Sequence, residues 1–326
     1  MGSSSRVLGA VYVMSQRIKH IKQLHKPADR VARVIVRNIR KNMLKARRIW
    51  LNQAANPSGD QQDSEALHNF RVEIRRLRVW LQLTRDLIRT KTKARMQLKN
   101  WAQGSNAGRD LEVMLGLLQQ ANTEIDHGLP SIPLVQDNTK LEELFSQHPL
   151  TLKPRTRISV QREGKASFAN WLADRLSIEL EKTLPLFKDE DETLHKARIH
   201  IKHMRYLIEP IASLRHAATH PALTQLKAMQ TRLGNLHDLF VLRQRLSDVL
   251  CDQLNERLSD LLKRPGIPTR GIQEALSATR KQFTVCLGWQ ANQYEAAMND
   301  WHSSSQQTCR QMENALNSLI NELRNA

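Results

Sequence analysis

Glycine and proline are scarce in this chain, 12 and 11 among 326 residues. That count excludes collagen-like, low-complexity and turn-dense all-β architectures, which need many more residues that break or redirect the backbone. Cysteine is rarer still. Cys251, Cys286 and Cys309 lie far apart in the last quarter, with no CxxC spacing and an odd total. A disulfide framework is thereby excluded, and a reducing cytoplasm is the expected compartment. The apolar run Val7 to Met14 is too short to cross a bilayer, so no membrane association is expected. Its weakly charged start and missing cleavage site also make it a poor secretory signal. Aromatics are few, six Phe, six Trp and three Tyr, and fall in no pattern that would stack nucleic-acid bases.

Negative charge is missing too, but only from one end. Residues 1–99 hold 23 Lys/Arg against 6 Asp/Glu, while residues 100–326 hold 27 against 26. The net charge of +18 therefore comes almost wholly from the first third. A surplus for solubility would be spread out; a concentrated one attracts an anionic partner.

What is present is a duplication. Leu67-His68-Asn69-Phe70-Arg71-Val72-Glu73-Ile74-Arg75-Arg76-Leu77-Arg78 returns as Leu194-His195-Lys196-Ala197-Arg198-Ile199-His200-Ile201-Lys202-His203-Met204-Arg205. A second pair follows at nearly the same separation: Gly108-Arg109-Asp110-Leu111-Glu112-Val113 matches Leu236-His237-Asp238-Leu239-Phe240-Val241, and Leu98-Lys99 matches Leu226-Lys227. Self-similarity of this kind means two related halves, each carrying one cationic helix.

The periodicity is helical. Between Ala28 and Trp50, residues Ala32, Ile35, Ile39, Met43, Ala46 and Trp50 share one stripe, with Arg33, Arg37, Arg40 and Arg47 beside it at about 100° per residue. A second helix is expected from Asp63 or Ser64 to about Thr90. Its core stripe is Phe70, Ile74, Leu77, Leu81 and Ile88, flanked by Arg71, Arg75, Arg78, Arg85 and Arg89. Arg71 to Arg89 would span about 27 Å at 1.5 Å per residue, a length suited to an extended polyanion. A third helix starts near Lys93, with a break expected at Gly104 to Gly108. Prolines 130, 133, 149 and 154 mark a junction. Helices then resume over about 164–183, 194–215 with a distortion at Pro210, from Pro221, and after Asp238.

The expected fold is all-α: two related antiparallel four-helix bundles with pseudo-twofold symmetry, plus extra C-terminal helices. Residues 1–27 would be a partly disordered extension, 28–125 the first bundle, 126–160 a linker, 161–265 the second bundle, and 266–326 helices packing on it. If the basic stripes of the first two helices converge, they form a groove between them.

The motif His68-x-x-Arg71-x-x-x-Arg75-Arg76-x-Arg78, its second copy, and the Gly/Leu-x-Asp-x-x-Val that follows each resemble the CHAD family, the conserved histidine α-helical domain. The resemblance covers about residues 28 to 265. It implies two helical bundles meeting at a basic surface that binds inorganic polyphosphate, and association with polyphosphate granules in the cytoplasm. Carried over by position, it makes His68, Arg71, Arg75 and Arg78 phosphate contacts in the first half, with His195, Arg198, Lys202 and Arg205 in the second. Lys99 and Lys227 are added from the following helices, and Arg85, Arg33, Arg37 and Arg40 from the basic stripes. The copies differ: His203 stands opposite Arg76, and Glu209-Pro210 replace the wider arginine stripe. The first half should therefore contribute more to a shared ligand.

The residue chemistry points the same way. Arginine forks donate paired hydrogen bonds to phosphate oxygens, lysine acts as a point charge, and histidine adds a titratable donor. Sulfate or single phosphate groups would occupy the same groove. No metal site is expected, since His195 shares a face with Arg198 and Lys202 while His200 and His203 point elsewhere. No enzyme is expected either: there is no GxxxxGK[ST] loop and no Glu-x-Glu-x-Lys pattern. The acidic run Asp189-Glu190-Asp191-Glu192 reads as compensation of a helix N-terminus, and Asp110 and Asp238 as structural acceptors, with Arg109 and His237 just before them as further candidates to face the groove. Nucleic acid is expected only as a weak, charge-driven competitor.

Overall fold

The structure is a computed structural model and describes residues 21–55, 60–125, 155–156, 166–188, 190–212, 219–263 and 269–326. Seven α-helices dominate them: α1 (Ala28–Ala55), α2 (Asp60–Leu83), α3 (Thr92–Glu124), α4 (Phe168–Thr183), α5 (Asp191–Ile208), α6 (Thr219–Leu262) and α7 (Thr269–Arg324). Two short strands, β1 (Ile88–Arg89) and β2 (Arg155–Thr156), pair antiparallel. The class is all-α. The remainder of the expected linker, and residues 1–20 of the expected extension, lie outside the described residues.

Helix α1 forms where its apolar stripe recurs, and Ala32, Ile35, Ile39, Met43, Ala46 and Trp50 are all buried. It packs on α2, whose Phe70, Ile74, Leu77 and Leu81 are buried in turn. Helix α4 starts at a serine cap, Ser167 accepting from the Asn170 amide at 3.2 Å. The segment before α1 is tied to the segment before α4: the Phe168 amide donates to Lys26 O at 2.9 Å and the Ala169 amide to Leu24 O at 3.0 Å. One hydrophobic core draws residues from α1, α2 and α3 together with α4, α5, α6 and α7. A smaller core joins Met114, Leu118 and Ala121 of α3 to Leu242 and Leu246 of α6 and to Phe283, Cys286 and Trp289 of α7.

Three helices depart from the expected boundaries. Helix α2 stops at Leu83, not near Thr90. The Thr84 hydroxyl donates to Trp80 O, and the Leu87 and Ile88 amides both turn back onto Thr84 O. Ile88, buried, then continues as β1. Arg85 and Arg89 thus lie beyond the helix, and the long single-helix arginine row is cut at Arg78.

Helix α3 runs unbroken through Gly104 and Gly108. Each interior glycine costs about 1 kcal/mol relative to alanine. Buried Trp101 and Ala102 on one side and Met114 and Leu118 on the other anchor the helix across that stretch. Helix α6 is likewise one 44-residue helix where two are expected. It places Asp238 in a helix interior, with buried Leu236, Leu239 and Leu242 around it. At the expected distortion, α5 tightens into a 3-10 turn over Glu209–Ile211, as Pro210 requires.

The last helix, α7, spans 56 residues. No proline follows Pro268 to interrupt it. It packs on α6 and α4. Trp289 Nε1 donates to the Glu124 carboxylate of α3 at 2.6 Å, and Gln290 donates to Leu239 O of α6 at 2.9 Å.

A candidate anion groove between the two repeats

The two motif helices, α2 and α5, pack against each other. Trp80 of α2 is buried and donates through Nε1 to Tyr206 O at 3.0 Å. Beside it, Arg76 bridges Glu73 at 2.7 Å and Glu209 of the second repeat at 2.9 Å. Burial lowers the Arg76 pKa, but the carboxylates of Glu209 and Glu73 outweigh it and raise the value overall. Arg205 also spends its charge on Glu209, with Nε at 3.2 Å, and lies over the Tyr206 ring. This cluster is internal cement: its cations already face carboxylates.

A cavity of about 510 Å³ is lined by Arg75 and Arg78 of α2, Arg85 of the following turn, Arg95 and Lys99 of α3, and His195, Arg198 and Lys202 of α5. Among the described residues lining it are seven permanent cations and no carboxylate. A second cavity adjoins it, sharing Arg75, His195, Arg198 and Lys202 and adding His237 and Asp238 of α6. Together they make a groove with walls from both repeats. Apolar side chains, Val79, Leu81, Leu98 and Ile199 in one cavity and Met114 and Leu242 in the other, also line it. Low-dielectric walls strengthen the field of the charges above them.

Two histidines face each other at the junction. His195 Nδ1 and His237 Nδ1 stand 3.2 Å apart, with ring centroids at 4.5 Å. Burial, then the charges of Arg198 and Lys202, push the His195 pKa below its ordinary value. Burial, followed by Arg198, His195 and Lys202, takes His237 down to about 4. Asp238, the next residue on α6, is the nearby counter-charge, 3.8 Å from Arg198.

Of the residues expected to bind phosphate, the groove gathers Arg75, Arg78, Arg85, Lys99, His195, Arg198 and Lys202. It does not gather the others. His68 is exposed on α2, two turns before Arg75, outside both cavities. Arg71 is only 1% exposed. Arg205 is committed to Glu209, and Lys227 is exposed elsewhere on α6. On α1, Arg33 pairs with Asp29 at 3.5 Å, while Arg37 and Arg40 line neither cavity. The groove lies between α2 and α5 rather than between α1 and α2.

Arg95 and His203 line the groove although neither was expected there, while His237, singled out beside the duplicated aspartate, does reach it. Arg95 precedes Lys99 by one helical turn, so the position of Lys99 already implied it. His237 sits beside the duplicated aspartate, but only the long α6 brings it against His195.

The sequence profile of the family described as CHAD domain matches residues 43–247, more than half of the chain. A comparison with curated proteins found no match. Among solved structures, the CHAD domain from the plant Ricinus communis is similar at 18% identity, with a TM-score of 0.49, covering 87% of this chain and 95% of that one. PptA from Streptomyces chartreusis is similar at 12% identity, with a TM-score of 0.43, covering 84% of this chain and all of that one.

Proposed function

The chain belongs to the CHAD-domain family, a family associated with polyphosphate, and we propose that it binds inorganic polyphosphate in the groove where its two repeats meet. The observation that carries this reading is the lining of the larger cavity: seven fixed cations from three separate segments, without a carboxylate among the described residues. Assembling that much like charge costs folding energy through mutual repulsion, which a bound polyanion relieves. Arg75, Arg78, Arg85 and Arg198 offer forked donors to non-bridging phosphate oxygens, and Lys99 and Lys202 offer mobile point charges. The groove continues past the His195–His237 junction, so a chain of phosphates can engage both cavities at once. Sulfate or a single phosphate would engage one.

The same lining favours binding over turnover. Phosphoryl transfer needs carboxylates that hold Mg²⁺ next to the cationic clamp. Asp238 is the one carboxylate among the described groove residues, and it faces Arg198. A protein that holds long polyphosphate without cleaving it would collect at polyphosphate granules in the cytoplasm. No helix among the described residues is long and apolar enough to cross a membrane.

Titration of the pure protein with long-chain polyphosphate, with ATP and duplex DNA as competitors at physiological salt, tests the reading. Polyphosphate should bind, and neither competitor should displace it at equal phosphate concentration. Displacement by duplex DNA would make nucleic acid the principal ligand. Chain shortening in the presence of Mg²⁺ would make the protein an enzyme.

A further inference from the structure

At the edge of the groove, where His203 lines the larger cavity, one cluster of side chains is arranged for a different kind of ligand. Glu179 of α4 is 4% exposed. Its Oε2 lies 2.8 Å from His200 Nδ1 and 2.9 Å from His203 Nδ1, both on α5. The two imidazoles stand at 78° to each other, and the three candidate ligand atoms lie within 4.8 Å of one another. Spacing of i, i+3 puts His200 and His203 on one side of α5, and the α4–α5 packing supplies the carboxylate. The expectation that no metal binds rested on histidines alone. It lacked Glu179, which no local pattern connects to them.

We propose that Glu179, His200 and His203 form a binding site for a zinc ion or a similar borderline divalent cation. Two imidazoles and one carboxylate are a three-ligand zinc set that leaves a fourth position for water. Magnesium and calcium prefer all-oxygen shells and fit poorly. The geometry needs a modest rearrangement. At zinc–ligand bonds of 2.0–2.2 Å, tetrahedral ligand atoms stand about 3.4 Å apart, so each nitrogen must move about half an ångström from Oε2, and the two nitrogens, now within 4.8 Å of each other, must settle at that same spacing. On binding, each Nδ1 presents its lone pair to the metal and carries its ring proton on Nε2 instead. The carboxylate stays anionic throughout, and no proton need leave a neutral ring.

Access and charge are compatible with entry. The His200 side chain is 24% exposed, which gives an approach from solvent. The nearest competing cation, Lys182 Nζ, stands 4.0 Å from the other carboxylate oxygen, Oε1, on an exposed and mobile stem.

The test uses the full chain, stripped with EDTA and free of polyphosphate, which would itself chelate the ion. Titration with Co²⁺ should give the visible d–d absorption of a four-coordinate site, and equilibrium dialysis should show one Zn²⁺ per chain that His200→Gln does not retain. Loss of a direct ligand should weaken binding by more than ~100-fold, beyond what loss of an outer-shell partner costs. His200→Cys should keep the ion and add a thiolate-to-Co²⁺ charge-transfer band in the near ultraviolet. Should His200→Gln lose its helical circular dichroism, the wild-type cobalt spectrum and the cysteine variant still decide. Wild type without the four-coordinate band at saturating Co²⁺, or equal zinc retention by a folded His200→Gln, would overturn the proposal. Both results are independent of whether the groove binds polyphosphate.

Discussion

Polyphosphate binding should take up protons, and the His195–His237 pair sets how many. In the free protein His237 titrates at about 4, because burial and then Arg198, His195 and Lys202 disfavour its charged form. A polyanion laid over those same cations removes their repulsion and favours imidazolium. If binding merely restores the ordinary value near 6.5, the linkage can be worked out. Affinity gains only about a tenth at pH 7.5 but about tenfold at pH 5.5, equivalent to ~1.4 kcal/mol. The sign is fixed: the bound pKa exceeds the free one, so binding tightens as pH falls through the bound value and levels off below the free value.

The facing Nδ1 atoms also limit the uptake. One ring must donate to the other across 3.2 Å. A first added proton goes to the outer nitrogen of the donor ring and leaves that bond intact; a second would put two protons between the rings. About 0.9 proton per chain is therefore expected at pH 5.5, not two. Calorimetry in buffers of different ionisation enthalpy reads that number directly. Long chains should be used, since terminal phosphates titrate near pH 6. His195→Gln/His237→Gln should bind with no uptake and a flat profile. Zero uptake by the wild type, with affinity unchanged between pH 7.5 and 5.5, would remove the pair from the site.

Adjacent arginines should separate binding from stability. Arg75→Met removes a groove cation and should weaken polyphosphate binding by tenfold or more, from the ~1.5–3 kcal/mol of a charge-assisted hydrogen bond, and should lower the melting transition less than Arg76→Met does. Arg76→Met takes the guanidinium from buried Glu73 and leaves Glu209 with Arg205 alone, and should cost about 3–5 kcal/mol of stability, while the folded fraction binds normally; thermal denaturation and titration of both variants would expose any exchange of roles. In metal-free buffer the Glu179 carboxyl is pushed up by burial but held at about 2 by the hydrogen bonds and charge of His200 and His203. A depressed carboxyl stabilises above its unfolded value and loses that contribution as pH falls toward 2, so about 3 kcal/mol should disappear between pH 4.5 and 2 in urea titrations, and Glu179→Gln should lack this decline.

The apolar register of α1 and the inner face of α2 were legible because both are continuous stripes at helical spacing, and every expected residue from Ala32 to Trp50 is buried. The end of α2 was not. Arg85 and Arg89 keep the helical period in sequence, while Thr84 turns the chain and Ile88 pairs with Thr156, a residue far along the chain. Gly104 to Gly108 and Asp238 read as breaks by propensity, yet both sit inside long helices whose flanks are held by tertiary packing. Site residues divide in the same way. Residue type and spacing placed Arg75, Arg78, Lys99, His195, Arg198 and Lys202 in the groove. Spacing alone cannot give the crossing of α2 and α5, so it could not separate Arg71, buried one turn earlier on the same stripe, from Arg75.

That crossing also explains why a symmetric duplication builds an asymmetric site. Arg75 and Lys202 occupy the same motif position, and both line both cavities. From there the copies diverge. The first continues toward its C-terminus with Arg78 and Arg85, and the second extends toward its N-terminus with Arg198 and His195. The position occupied by Gln82 in the first copy is Glu209 in the second. Glu209 binds both Arg205 and Arg76, so it withdraws the C-terminal cation of the second motif from the groove and fastens the repeats together there. A neutral residue in place of Glu209 would leave Arg205 without that carboxylate and Arg76 with Glu73 alone. The acidic departure in the second copy thus joins the two motif helices through Arg76 and Arg205 beside the cavity that the cations of the first line.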